Sequence, residues 1–156
     1  MPGGGTRQLR RAGSRHYDNP LMITYSGIGE DSTGNGPEHD FGNGALTYYV
    51  QPAYGTDFGQ VFDIQVSVTE TFTADTTAGL VQVGISGELD KYAELSLGTA
   101  ATAGAAYGSF DKDIFTSSKT GRIDVDTDGA TIITYVSPTG GTPAGKGYVF
   151  LTIGWF

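Results

Sequence analysis

The hexapeptide Asp124-Val125-Asp126-Thr127-Asp128-Gly129 sets three carboxylates two residues apart and follows them with glycine, as in the first half of an EF-hand calcium loop. The twelfth position of such a loop brings a bidentate Glu; here it is Tyr135, and the flanking residues alternate like strands instead of helices. The same stretch also reads as a strand end and a turn, with Ile123 and Val125 inward, Asp124 and Asp126 outward, and Asp128-Gly129 turning the chain. The second reading explains more residues, so no metal or other cofactor is expected. A cation on Asp124, Asp126 and Asp128 is the alternative.

The cluster Glu38-His39-Asp40 combines an imidazole with two acids, the ingredients of acid–base or metal chemistry, but it sits in a Gly-rich stretch and reads as a polar loop. His16 is the other histidine. A zinc site or a serine triad would have to recruit one of these two residues, and no pair among the 17 acids stands out for glycoside hydrolysis. An enzyme is therefore not expected, nor a small-molecule substrate. The glycines form neither a dinucleotide fingerprint nor a phosphate loop with its lysine.

Arg7, Arg10, Arg11 and Arg15 precede the first acid, Asp18, so residues 1–17 carry +4. The remainder holds five basic and 17 acidic residues, a net −12. Such a body repels nucleic acid, whereas arm and body attract. Seventeen extended residues reach up to about 55–60 Å, far enough to grip the carboxylates of a neighbouring subunit. Glycine makes up 25 of 156 residues, more than twice its usual share of roughly 7%. Each glycine ordered outside a turn costs about 0.5–1 kcal/mol relative to alanine, which suggests a fold that draws stability from neighbours. With no cysteine, no disulfide is available. The N-terminus lacks the apolar core of a signal peptide and no run is long enough to span a membrane, so a soluble product of the cytoplasm is expected.

The elements that must position these residues are strands. Phe62, Ile64, Val66 and Val68 alternate with Asp63, Gln65, Ser67 and Thr69 within a strand over 60–73. A turn over 74–79 predicts a hairpin with a strand over 80–87. Further strands are predicted over 21–26, 45–51, 93–97, 113–117, 122–126 and 130–137, the last two paired across Thr127-Asp128-Gly129. A Gly-rich acidic loop with Glu30, Asp31, Glu38 and Asp40 fills 27–44. The final strand, 147–156, is apolar on both sides: Val149, Leu151, Ile153 and Trp155 on one, Tyr148, Phe150 and Phe156 on the other. Such a strand must lie centrally in a sheet or at a subunit contact. Eight or nine strands in one domain over 18–156, preceded by the arm 1–17, predict an all-β antiparallel sandwich of two sheets, of jelly-roll type.

The acidic, Cys-free, Gly/Ala/Thr-rich body and the ending Gly145-Lys-Gly-Tyr-Val-Phe-Leu-Thr-Ile-Gly-Trp-Phe156 resemble the cement or decoration proteins of podovirus-type phage heads. The likeness covers mainly residues 45–156 and is one of style and strand order. It implies a jelly-roll virion protein made in the host cytoplasm that sits on the capsid surface, binds copies of itself, and clamps major capsid subunits together. Arg7, Arg10, Arg11, Arg15 and Trp155 are the expected partner contacts. The rival is a carbohydrate-binding or host-attachment sandwich, with Tyr48, Tyr49, Tyr54, Tyr92 and Tyr107 as a sugar-stacking platform.

Overall fold

Val149, Leu151, Ile153 and Trp155 alternate with Tyr148, Phe150 and Thr152, and this period of two builds a twelve-residue strand with neighbours on both sides. The structure, a computed structural model, describes residues 21–25, 38–41, 46–73, 77–110, 113–115, 119–129, 131–136 and 144–156. The arm over 1–17, with Arg7, Arg10, Arg11, Arg15 and His16, lies outside these residues, as do Glu30 and Asp31. The described strands are β1 (Leu21–Tyr25), β2 (His39–Asp40), β3 (Leu46–Val50), β4 (Phe58–Thr73), β5 (Gly79–Ile85), β6 (Glu88–Gly98), β7 (Ala100–Ala101), β8 (Ala106–Gly108), β9 (Arg122–Asp124), β10 (Thr131–Val136) and β11 (Ala144–Trp155). One helical turn, Val125–Asp128, joins β9 to β10.

The strands form two antiparallel sheets packed as a sandwich. One runs β1-β11-β4, with β7, β8 and β9 placed end to end along the far side of β4 and β2 extending the line of β1 on β11. The other runs β3-β10-β5-β6. Between them lies the core, with Ile64, Val66, Val149, Leu151 and Ile153 from the larger sheet and Val81, Val83, Leu95 and Ile133 from the smaller. The pairings are nested about the β5–β6 hairpin, which turns at Ser86-Gly87 with Gly87 at φ 89. Outside it β4 pairs with β7, β8 and β9, outside these β3 pairs with β10, and outermost β1 pairs with β11.

Four local expectations are corrected. β4 and β5 are no hairpin; they belong to different sheets. Asp128-Gly129 joins no hairpin either. β9 ends at Asp124 and pairs with β4, while β10 lies in the opposite sheet. Gly129 has φ 67, a left-handed residue just past a helical turn, and such a glycine ends a helix as readily as it makes a hairpin. Residues 113–115 belong to no strand, although Ile114 is buried and its carbonyl accepts the Glu94 N–H at 3.0 Å. Phe62 does not share the inner face of Ile64. Opposite Thr152–Ile153 the register slips by one residue, so Val61 and Ile64 both point inward and Phe62, the extra residue of the bulge, faces solvent.

Two strand glycines lie beneath aromatic rings. The Trp155 ring covers Gly59, with Cζ3 2.5 Å from where a Cβ would stand, and the Phe62 ring covers Gly154, with Cε2 at 2.6 Å. A missing side chain here is the seat for a ring, so part of the glycine surplus is repaid within the chain by apolar burial.

Candidate functional site

Trp155 is 1% exposed; its ring lies on Gly59, and its indole N–H donates to the Tyr25 hydroxyl at 3.0 Å. Inward alternation on a central strand places this residue in the chain's own core instead of at the surface expected of a partner contact. Burial raises the Tyr25 hydroxyl above its ordinary pKa, with the hydrogen bond from Trp155 opposing the rise. The four arginines expected to bind a partner fall outside the described residues.

The other chemistry-bearing residues are dispersed. His39 is buried, not a loop residue: β2 pairs it with Gly147, and its ring meets Phe41 edge-on at 5.4 Å. Glu38 accepts a hydrogen bond from the Thr69 hydroxyl. Asp124 accepts the Asp126 N–H at 3.2 Å and so caps the helical turn. Among the described residues no group of three His, Cys, Asp or Glu side chains is placed to hold a metal ion. Nor do the five tyrosines make a platform. Tyr92 is buried, Tyr107 packs against the core, and Tyr48 and Tyr49, adjacent in β3, point to opposite faces.

Among the described residues, charged side chains concentrate away from β1 and β3. Lys119 donates to Asp90 on β6 at 3.0 Å, and that hydrogen bond holds the Asp90 carboxyl below the usual carboxylate range. Lys146 pairs with Glu70 at 3.2 Å. Arg122 on β9 lies 4.2 Å above the ring of Phe58, which stacks on Phe156 with centroids 4.8 Å apart. Asp63 accepts from the Ser109 N–H and hydroxyl and from Gln65 Nε2 at 2.7 Å, which ties the loop after β8 to β4.

Among the described residues most of the exposed large apolar and aromatic side chains fall in two connected places; Tyr54, in the turn after β3, and Leu89 on β6 are exposed outside them. The outward face of the larger sheet carries Phe62, the half-buried Tyr148 and Phe150, and Phe110, whose ring lies against Gly108 beside Gln65. The flank formed by β1 and β3 carries Leu21 (54% exposed), Met22 (49%), Tyr48 (37%) and Tyr49 (63%). Met22 and Phe62 approach one another over Gly154 and join the two places. Sequence reasoning missed the face because the bulge that turns Phe62 outward leaves no mark in the alternation. It missed the flank because two short apolar strands read the same at an edge as at the centre of a sheet.

The chain matches no protein family and no curated protein. Among solved structures it aligns with a chain from the crystal structure of the T13 IBDV viral particle, at 8% identity and a TM-score of 0.14. The alignment covers 88% of this chain and 39% of the viral one.

Proposed function

We propose that the chain is a structural virion protein that binds across major capsid subunits and cements a phage head. The observation that carries this reading is an apolar, aromatic outer sheet face on a sandwich with nested strand pairing. Taking the β7–β9 edge as one, β1, β3, β4, β5, β6, that edge, β10 and β11 make eight strands. They cross between sheets at each step except the β5–β6 hairpin. This order supports a jelly-roll reading, and viral capsid domains are among the proteins that use that fold. Fold alone does not give function, so the weight rests on the face: Phe62, Phe110, Tyr148 and Phe150 form a row of anchors of the type that dominates protein interfaces.

The role is mechanical. Each copy seated across a boundary adds contact area that internal pressure must break before the shell opens, and binding stabilises the state that is bound. The acidic body keeps free copies apart until docking sites form. Co-sedimentation with empty expanded heads tests the reading: the chain binds, Phe62→Lys weakens binding at least about tenfold, or about 1.4 kcal/mol, and bound heads withstand more heat. Failure to bind any head, together with specific binding on a glycan array, would establish the carbohydrate-binding rival instead.

A further inference from the structure

The sandwich has four strand edges, and two of them are guarded or partly closed in ways that natural proteins use against edge-to-edge pairing. The far edge of the larger sheet is broken into β7, β8 and β9, of two or three residues each. The edge at β6 carries Glu88, Asp90, Lys91 and Glu94. It also receives backbone bonds from outside the sheet: Glu94 N–H to the Ile114 carbonyl at 3.0 Å, and Gly121 N–H to the Tyr92 carbonyl at 3.1 Å. The edge at β3 is uncharged and five residues long, with Gln51 and Pro52 after it. The edge at β1, Leu-Met-Ile-Thr-Tyr, is uncharged and pairs on one side with β11; among the described residues no strand pairs with its other side.

From this pattern we infer that β1 is a self-pairing edge: two copies of the chain join β1 to β1 in antiparallel fashion about a two-fold axis, continuing the larger sheet from one copy into the other. Charge selects a second copy as the occupant. The whole chain carries −8, and copies repel wherever their acidic surfaces meet, but the ten residues of β1 and β3 contain no Asp, Glu, Lys, Arg or His. Where these described strands meet, identical surfaces approach without like charges opposed. A two-fold pair also sets residue i against j and j against i, so the exposed Leu21 and Met22 of each copy find an apolar counterpart. Because Met22 meets Phe62 over Gly154, the aromatic outer faces of both copies then become one continuous surface. This deepens the cement reading and rests on it for its purpose: a paired molecule presents two docking faces and spans two capsid subunits.

The test uses the full chain in light scattering after size exclusion, with Met22→Lys and Thr24→Lys at outward positions of β1 and Leu89→Lys, at an exposed position of β6 on the opposite flank, as the control. The expected result is a mass twice 16.3 kDa, a dissociation constant raised at least about tenfold by either β1 lysine, and no change with Leu89→Lys. Hydrogen exchange on the unaltered chain covers the case in which a variant misfolds: β1 amides gain protection as concentration rises. A monomer at up to about 100 μM, a dimer indifferent to both β1 lysines, or exchange at β1 that does not depend on concentration would overturn the inference. Head binding of the same samples separates the two ideas. A dimer broken by the β1 lysines that binds no head sinks the cement reading and leaves self-pairing standing; a monomer that binds heads does the reverse.

Discussion

Along one flank of the sandwich the larger sheet ends in three fragments and the smaller ends in a charged strand, and Gly121 stitches the two together: its carbonyl accepts the Val61 N–H at 2.8 Å and its N–H donates to the Tyr92 carbonyl. Along the opposite flank β1 and β3 run uncharged, with Leu21, Met22 and Tyr49 about half exposed or more. The bond from Trp155 to Tyr25 there joins β11 to β1 within the larger sheet and does not reach the smaller one. The contrast teaches that the two sides answer different demands. The first flank is closed by the chain on itself, with buried Ile123 of β9 and Ile114 beneath it. The second leaves apolar surface uncovered, and this costs nothing only if something else covers it.

The contrast is most easily broken by truncation. Ile123→Ala on the closed flank is expected to lower unfolding free energy by about 2–5 kcal/mol, while Leu21→Ala on β1 stays within about 0.5 kcal/mol in dilute protein; urea titration of both variants measures the difference. Equal losses would mean that the flanks do not differ. Next in size is Gly121→Ala. Gly121 has φ 72, and an added Cβ would stand 2.5 Å from Gln60 Nε2, so a loss of about 1–3 kcal/mol is expected by the same titration.

Tyr25→Phe probes the open flank and removes the acceptor of the Trp155 indole N–H, at a cost of about 1 kcal/mol. It also carries a pH signature. A hydroxyl whose pKa is raised in the folded chain binds more protons folded than unfolded over that window. Its contribution is therefore complete below the unfolded value near 10.0 and is lost as pH climbs through the folded one. Thermal melts between neutral and strongly alkaline pH should show a steeper decline in the unaltered chain than in Tyr25→Phe. The smallest effect belongs to Asp90→Asn. The Lys119 pair is solvent-exposed on the Asp90 side, so the loss is no more than about 0.5 kcal/mol. It is seen only at neutral pH and low salt, since the lowered carboxyl stabilises above the usual carboxylate range and fades as acid protonates it.

The strands themselves were legible. Period-two burial located the two longest, β4 and β11, and the doubly apolar ending of β11 pointed to a central place in a sheet or a subunit contact, of which the structure shows the first. Connectivity was less legible. A left-handed Gly129 after Asp128 fits a hairpin and a helix stop equally well, and only the burial of Ile123 in one sheet and Ile133 in the other decides between them. The bulge at Phe62 arises from a mismatch with Thr152–Ile153 on β11, a partner some ninety residues on in the chain. No local window contains that information. Trp155 misled for the opposite reason: its size suggested an anchor for a partner, but its phase with Val149, Leu151 and Ile153 had already committed it to the interior. The charged arm was plain in the sequence and falls outside the described residues.

The ring of Trp155 and the bare backbone of Gly59 share a single volume, and the same holds for Phe62 and Gly154. Neither member of such a couple is free to drift alone. Even alanine, the smallest change open to these glycines, displaces the ring, while shrinking the ring uncovers a gap that no side chain stands ready to fill. Divergence at these places must therefore come in matched steps, and the history of the fold should be written there as correlated pairs instead of independent substitutions.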